Sequence, residues 1–168
     1  MSAIAPLDPW AFADHLDVLV LEFAGLELST DSIEQLIRTD PESWSAMTLQ
    51  VGSIHAIVVN PTHAATRQRV DLMHELAHIQ LKHTPARVEV SKSGVLLLSD
   101  YSDEQEQEAD WHAAALLLPR DGLIELRARG DSAVQVAANY GVSESLCAWR
   151  LRMTGVDVQI RRARARSY

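Results

Sequence analysis

The sequence predicts an α+β fold: a small antiparallel sheet packed on a helical core, with a further helical segment at the C-terminal end. Three observations predict it. Residues 48–59 read as two short apolar strands around Gly52-Ser53, a two-residue hairpin turn. Residues 64–82 and 103–118 carry apolar stripes of helical period. Beyond Pro119 the chain holds only short helical segments, punctuated by Gly130 and Gly141.

The elements follow in order. Trp10 to Phe23 reads as one amphipathic helix, opened by Asp8-Pro9 and closed near Gly25. Asp31-Ser32 caps a short second helix through Ile37, which stops before Asp40-Pro41. Thr48–Val51 and Ile54–Val59 form the strand pair, the second strand apolar enough for full burial. Asn60-Pro61-Thr62 breaks that strand. Val70, Met73, Ala77 and Leu81 then place one stripe of the 64–82 helix in the core, until Thr84-Pro85 stops it. Residues 86–102 are polar apart from Val95-Leu96-Leu97-Leu98, a short strand or a buried loop. A helix from Asp103 to Leu118 opens with acidic turns that suit its dipole and ends at Pro119. Residues 121–154 supply two or three short helices, the last capped by Ser143.

The chain has 168 residues and divides into a main domain, 1–119, and a C-terminal helical hairpin with a basic tail, 120–168, packed on it. Cys147 is the sole cysteine, so an intrachain disulfide is excluded. Met1 to Trp10 lacks the features of a signal peptide, and no run has the ~20 apolar residues of a membrane helix. The expected location is the cytoplasm. A net charge of -8 argues against nonspecific nucleic-acid binding by the whole molecule. The charge is uneven: nine Arg face five acids from Arg120 on, and six Lys and Arg face eighteen acids before it.

The chemistry lies in His74-Glu75-Leu76-Ala77-His78. Residues four apart on a helix are neighbours, so His74 and His78 can address one metal ion. Glu75 can reach a water beside it. H-E-x-x-H on a helix is the metalloprotease signature, with two His ligands and a Glu as general base. A catalytic zinc usually takes a third protein ligand. On the 103–118 helix Glu106 and Asp110 continue the stripe of Ala113 and Leu117, whereas Glu104 and Glu108 lie one face over with Trp111 and His112. Glu106 is therefore the expected ligand and Glu108 the runner-up. Asp110, one turn on, is placed to accept the free N–H of a ligating imidazole. The plain alternative for these acids is a solvated helix start.

These blocks resemble the ImmA/IrrE-type zinc peptidases. The resemblance rests on Asn60-Pro61, Arg67-Gln68-Arg69 and the H-E-x-x-H, then on Glu106 to Asp110 running into Ala113–Pro119. Tyr140-Gly141-Val142-Ser143 with Arg150-Leu151 completes it, and together the blocks span most of residues 54–154. Val70 and Ala77 stand where the family often has Phe and Gly, and Asp110 where it often has Asn. The resemblance implies a gluzincin-like, zincin-type core, with Glu106 as third ligand. It also implies a substrate, since several members cleave a helix-turn-helix repressor in mobile-element or stress-response circuits.

The expected activity is a zinc endopeptidase in which Glu75 moves the proton; Mn²⁺ or another divalent ion could replace zinc. Tyr101, His83 and His112 are candidate transition-state donors, each with a structural reading beside it: His83 also suits a helix C-terminus. His15, His55 and His63 are read as structural or surface residues, and Arg67 and Arg69 as partners of nearby acids. Residues 134–150 have helix-turn-helix spacing, and with Arg150, Arg152 and Arg161–Arg166 they raise DNA contact as an alternative. Ser143, Glu144 and Ser145 suit base reading poorly, which favours a hairpin followed by an unstructured basic tail. The competing class is a non-catalytic regulator, either a metal-holding sensor or a DNA-binding module.

Overall fold

The computed structural model describes residues 5–26, 28–90 and 96–166; the expectations placed on Met1–Ile4 and Val95 lie outside the described residues. Two compact units emerge, Asp8–Asp110 and, with the first residues of the chain, Trp111 onward. The division falls inside the second long helix.

The first unit contains α1 (Pro9–His15), β1 (Leu19–Leu21), α2 (Thr30–Glu34), β2 (Ala46–Val51), β3 (Ile54–Val59), α3 (Ala65–Leu81), β4 (Arg87–Val90), β5 (Leu96–Ser99) and the start of α4 (Asp103–Leu117). Five strands form one sheet in the order β1-β3-β2-β5-β4. Four of them, β3-β2-β5-β4, pair antiparallel in succession, as hairpin-type neighbours do. The hairpin turn is Gly52-Ser53, with Gly52 at φ +60°, where a Cβ would strain the backbone.

The α+β class stands, and two local expectations are corrected. Trp10 to Phe23 is not one helix. The helix ends at His15, Asp17 takes a left-handed φ of +55°, and Leu19–Leu21 join β3 in parallel. Asp tolerates that conformation, and Val18 and Val20 favour an extended backbone. The sheet is therefore mixed. The next helix is capped by Ser29, whose hydroxyl accepts from the Ser32 amide, and it widens into a π turn through Thr39.

Ala13, Val18, Ile57, Leu72 and Leu76 make the buried centre of this unit. Leu72 and Leu76 are one helical turn apart, so α3 lays a single stripe on the sheet. Thr48, on β2, lies opposite Ile57 of β3, and opposite pairs share a sheet face, so Thr48 also faces α3.

In the second unit, α5 (Arg120–Arg129), α6 (Ala133–Tyr140), α7 (Glu144–Thr154) and α8 (Val156–Ala165) follow the end of α4. A capping box of Ser132 and Gln135 opens α6, left-handed Gly141 closes it, and Ser143 caps α7. The expected unstructured tail is instead α8. Gly155 at φ +65° turns the chain, Val156 is buried, and Asp157 pairs with Arg127 at 2.7 Å. Arg150, which the DNA-contact alternative places on the surface, is buried and donates from Nε to the Leu118 carbonyl at 3.3 Å. No helix among the described residues is long and apolar enough to cross a membrane.

Leu72 is fully buried, and truncating it to Ala leaves a cavity between helix and sheet. Leu72→Ala should cost about 2–5 kcal/mol of stability, read from the urea midpoint of the full chain.

Candidate metal centre

Helix α3 places His74 and His78 one turn apart and facing the same way. Their Nε2 atoms are 2.9 Å apart. Helix α4 begins with its own capping pair: Ser102 Oγ accepts from the Gln105 amide, and the Gln105 side chain accepts from the Ser102 amide. That start fixes the helix phase and directs Glu106 at α3. Glu106 Oε2 lies 3.1 Å from His74 Nε2 and 3.8 Å from His78 Nε2.

Donors held 2.0–2.1 Å from one tetrahedral ion stand roughly 3.3 Å apart, so the three observed separations bracket that spacing. Proton placement points the same way. Asp110 Oδ1 lies 3.0 Å from His74 Nδ1, and a carboxylate can only accept, so that nitrogen carries the hydrogen. In the neutral ring His74 Nε2 is then a lone pair, and a cation shared with the second imidazole nitrogen and the carboxylate oxygen beside it would satisfy all three. His74, His78 and Glu106 could hold a metal ion.

The remaining candidates divide. His83 Nδ1 is 3.0 Å from His78 Nδ1, and His83 Nε2 is 3.2 Å from Glu108 Oε2. With Nε2–H given to Glu108, His83 Nδ1 is an acceptor for the His78 Nδ1–H. That leaves His78 Nε2 bare toward the cluster. His83 therefore backs His78 instead of facing a substrate. Glu108, the runner-up ligand, supports His83. Tyr101 stacks on His78 with ring centroids 3.8 Å apart. Its hydroxyl is pushed up to about 12 by burial and by Glu75 and Glu106, so it remains a donor. His112 falls in the second unit.

Two left-handed residues make these contacts. Lys82 (φ +58°) ends α3, and the His83 amide donates back to the His78 carbonyl at 3.0 Å. Asp100 (φ +57°) precedes Tyr101, and its carbonyl accepts from the Ala86 amide at 2.8 Å.

Glu75 lines a cavity of about 290 Å³ with Ser45, Ala46, Asp71, His74 and Glu106. Burial raises its carboxyl above the ordinary range, opposed by a hydrogen bond from Thr48. Thr48 Oγ1 donates to Glu75 Oε2 at 2.5 Å. The sequence reading missed Thr48 and Asp71, because neither stands in a metal-ligand pattern. His63, read as structural or surface, is structural. His63 is buried, 3.2 Å from Asp71 Oδ2, and behind it Asn60 donates to the Pro41 and Trp44 carbonyls. Arg67 pairs with Glu42 at 2.6 Å and Arg69 with Asp8 at 3.7 Å, as expected of them.

Together these features define a class: an α+β unit whose H-E-x-x-H helix meets a carboxylate from a second helix. The family model described as the IrrE N-terminal-like domain, peptidase M78, matches residues 27–152. The chain belongs to that peptidase family. No curated protein and no solved structure matches it.

Two measurements follow. Asp110→Asn keeps the size of the side chain but weakens its grip on the His74 N–H; zinc affinity should fall about 10–100-fold in chelator competition. His78 is lowered from 6.5 to about 3 by burial and by the neighbouring His74 and His83. An unfolded chain protonates this imidazole near pH 6.5 and the folded one does not, so the unfolded state binds more protons below that pH. The stability of the metal-free chain should hold above about pH 6.5 and decline as the pH falls toward 4.5, seen in urea midpoints across that range.

Proposed function

We propose that the protein is a zinc-dependent endopeptidase of the cytoplasm that cleaves a regulatory helix-turn-helix protein. The observation that carries the reading is the convergence of His74, His78 and Glu106 beside the cavity that Glu75 lines. Two imidazoles and one carboxylate are a zinc donor set with room for a further ligand, and Mn²⁺ or another divalent ion is the alternative occupant. When bound, the ion would polarise the scissile carbonyl and acidify the attacking water.

The chain's own residues supply the rest. His74 and His78 would hold the ion through Nε2, with Asp110 and the His83–Glu108 pair orienting their rings. Glu75 would take the proton from the attacking water and hand it to the departing amine. Burial helps here: a carboxyl with a raised affinity for protons is a better base for a proton it must carry and then release. Tyr101, protonated at neutral pH and stacked on His78, is the favoured donor to the oxyanion. The substrate class comes from the family resemblance, since members of the family cleave repressors of this kind. Location follows the single, buried cysteine, which gives no sign of an oxidising compartment.

The test is incubation of the zinc-loaded full chain with any helix-turn-helix protein found encoded beside it, with and without chelator. Cleavage should stop on chelation and return with zinc. Glu75→Gln should keep about one zinc per chain and lose about 10²–10⁴ in cleavage rate. A full-rate Glu75→Gln chain would remove the general base. A zinc-loaded chain that binds the repressor without cutting it would instead favour the non-catalytic regulator.

A further inference from the structure

We infer that Thr48 is a positioning residue for Glu75, holding one carboxylate oxygen from the middle of the sheet so that the other is left for the cavity. The inference rests on the reading of Glu75 as general base. Thr48 is 1% exposed and sits on β2, the middle strand, paired with Ile57 on one side and Leu98 on the other. Being held by ladders on both flanks, it is among the least movable positions in this unit.

The residues opposite Thr48 on the two flanking strands, Ile57 and Leu98, are apolar. Valine has the same shape as threonine and would fit such a place without a polar atom to satisfy. A buried hydroxyl costs stability unless it is hydrogen-bonded. Among the described residues its one partner is Glu75, and Thr48 is in turn the one hydrogen-bond donor to that carboxylate. Each satisfies the other.

The contact uses Oε2 alone. Glu75 sits within electrostatic range of both His74 and Glu106 and lines the same cavity. A glutamate side chain has several rotatable bonds, and one without an anchor can swing toward a cation held by the cluster. As a ligand it could no longer take a proton. The Thr48 hydroxyl tethers it to the sheet instead, which separates the residue that moves the proton from those that could hold the ion.

The experiment combines a stability cycle with kinetics on the full chain. Thr48→Val and Glu75→Leu are made singly and together, and urea midpoints are measured without metal or substrate. Thr48→Val should lower the midpoint when Glu75 is present and leave it level, or raise it, when added to Glu75→Leu. An equal shift in both backgrounds overturns the pairing. With zinc and a cleaved helix-turn-helix protein, Thr48→Val should lower kcat by about 10–100-fold, with KM and zinc content retained. Thr48→Ser, which keeps the hydroxyl, should recover most of kcat. Unchanged kcat in Thr48→Val, with Glu75→Gln inactive, overturns the positioning role alone. Full activity in Glu75→Gln defeats the general-base reading instead, while the substrate-free cycle still decides whether Thr48 holds Glu75.

Discussion

The structure turns on the crowding of three lone-pair donors. His74, His78 and Glu106 bring two ring nitrogens and a carboxylate oxygen to within 2.9–3.8 Å of one another. With the hydrogen of each neutral imidazole on Nδ1, the three atoms that face one another are acceptors, and a cation among them would satisfy all three. Holding them there is the task of the surrounding fold. The α3 stripe of Leu72 and Leu76 locks one helix to the sheet, and the Ser102–Gln105 capping pair sets the phase of the other.

Around the cluster each polar group has a partner that directs it. Asp110 takes the His74 N–H, and His83, held by Glu108, stands behind His78. Thr48 occupies one oxygen of Glu75. The effect is to turn every lone pair not needed elsewhere toward one point. Burial strengthens the Thr48–Glu75 contact and makes an unpartnered member of it costly, whereas Asp110 and Glu108 reach the imidazoles from the exposed side. The same burial keeps His78 neutral over the pH range in which an exposed imidazole would charge.

Much of this was legible because it is local. His74, Glu75 and His78 follow from spacing on one helix, and Glu106 and Asp110 from their place on the stripe of the next. The hairpin was legible from Gly52-Ser53, and α6 and α7 from their glycine and serine punctuation. Other features were hidden in contacts between distant segments. Residues 18–21 fit a helix or a strand equally by period, and the free edge of β3 decided for the strand. His83 and Tyr101 reach His78 only because Lys82 and Asp100 adopt left-handed backbone, which nothing in their side chains requires. Arg150 reads as a surface cation, yet the Leu118 carbonyl and the nearby Trp111 ring give it a buried place. The Arg-rich end reads as a solvated tail, yet the turn at Gly155 lets Val156 bury and Asp157 meet Arg127.

Sequence alone determined the donor types and their spacing along each helix, since a turn of 3.6 residues is a property of the backbone and needs no partner. Only the tertiary structure decided which imidazole Asp110 reaches and which imidazole stands behind which. It alone decided that a threonine from the middle of the sheet faces the glutamate. Those choices depend on segments up to 36 residues apart meeting at hydrogen-bond distance, as His74 and Asp110 do, and no local pattern encodes such a meeting.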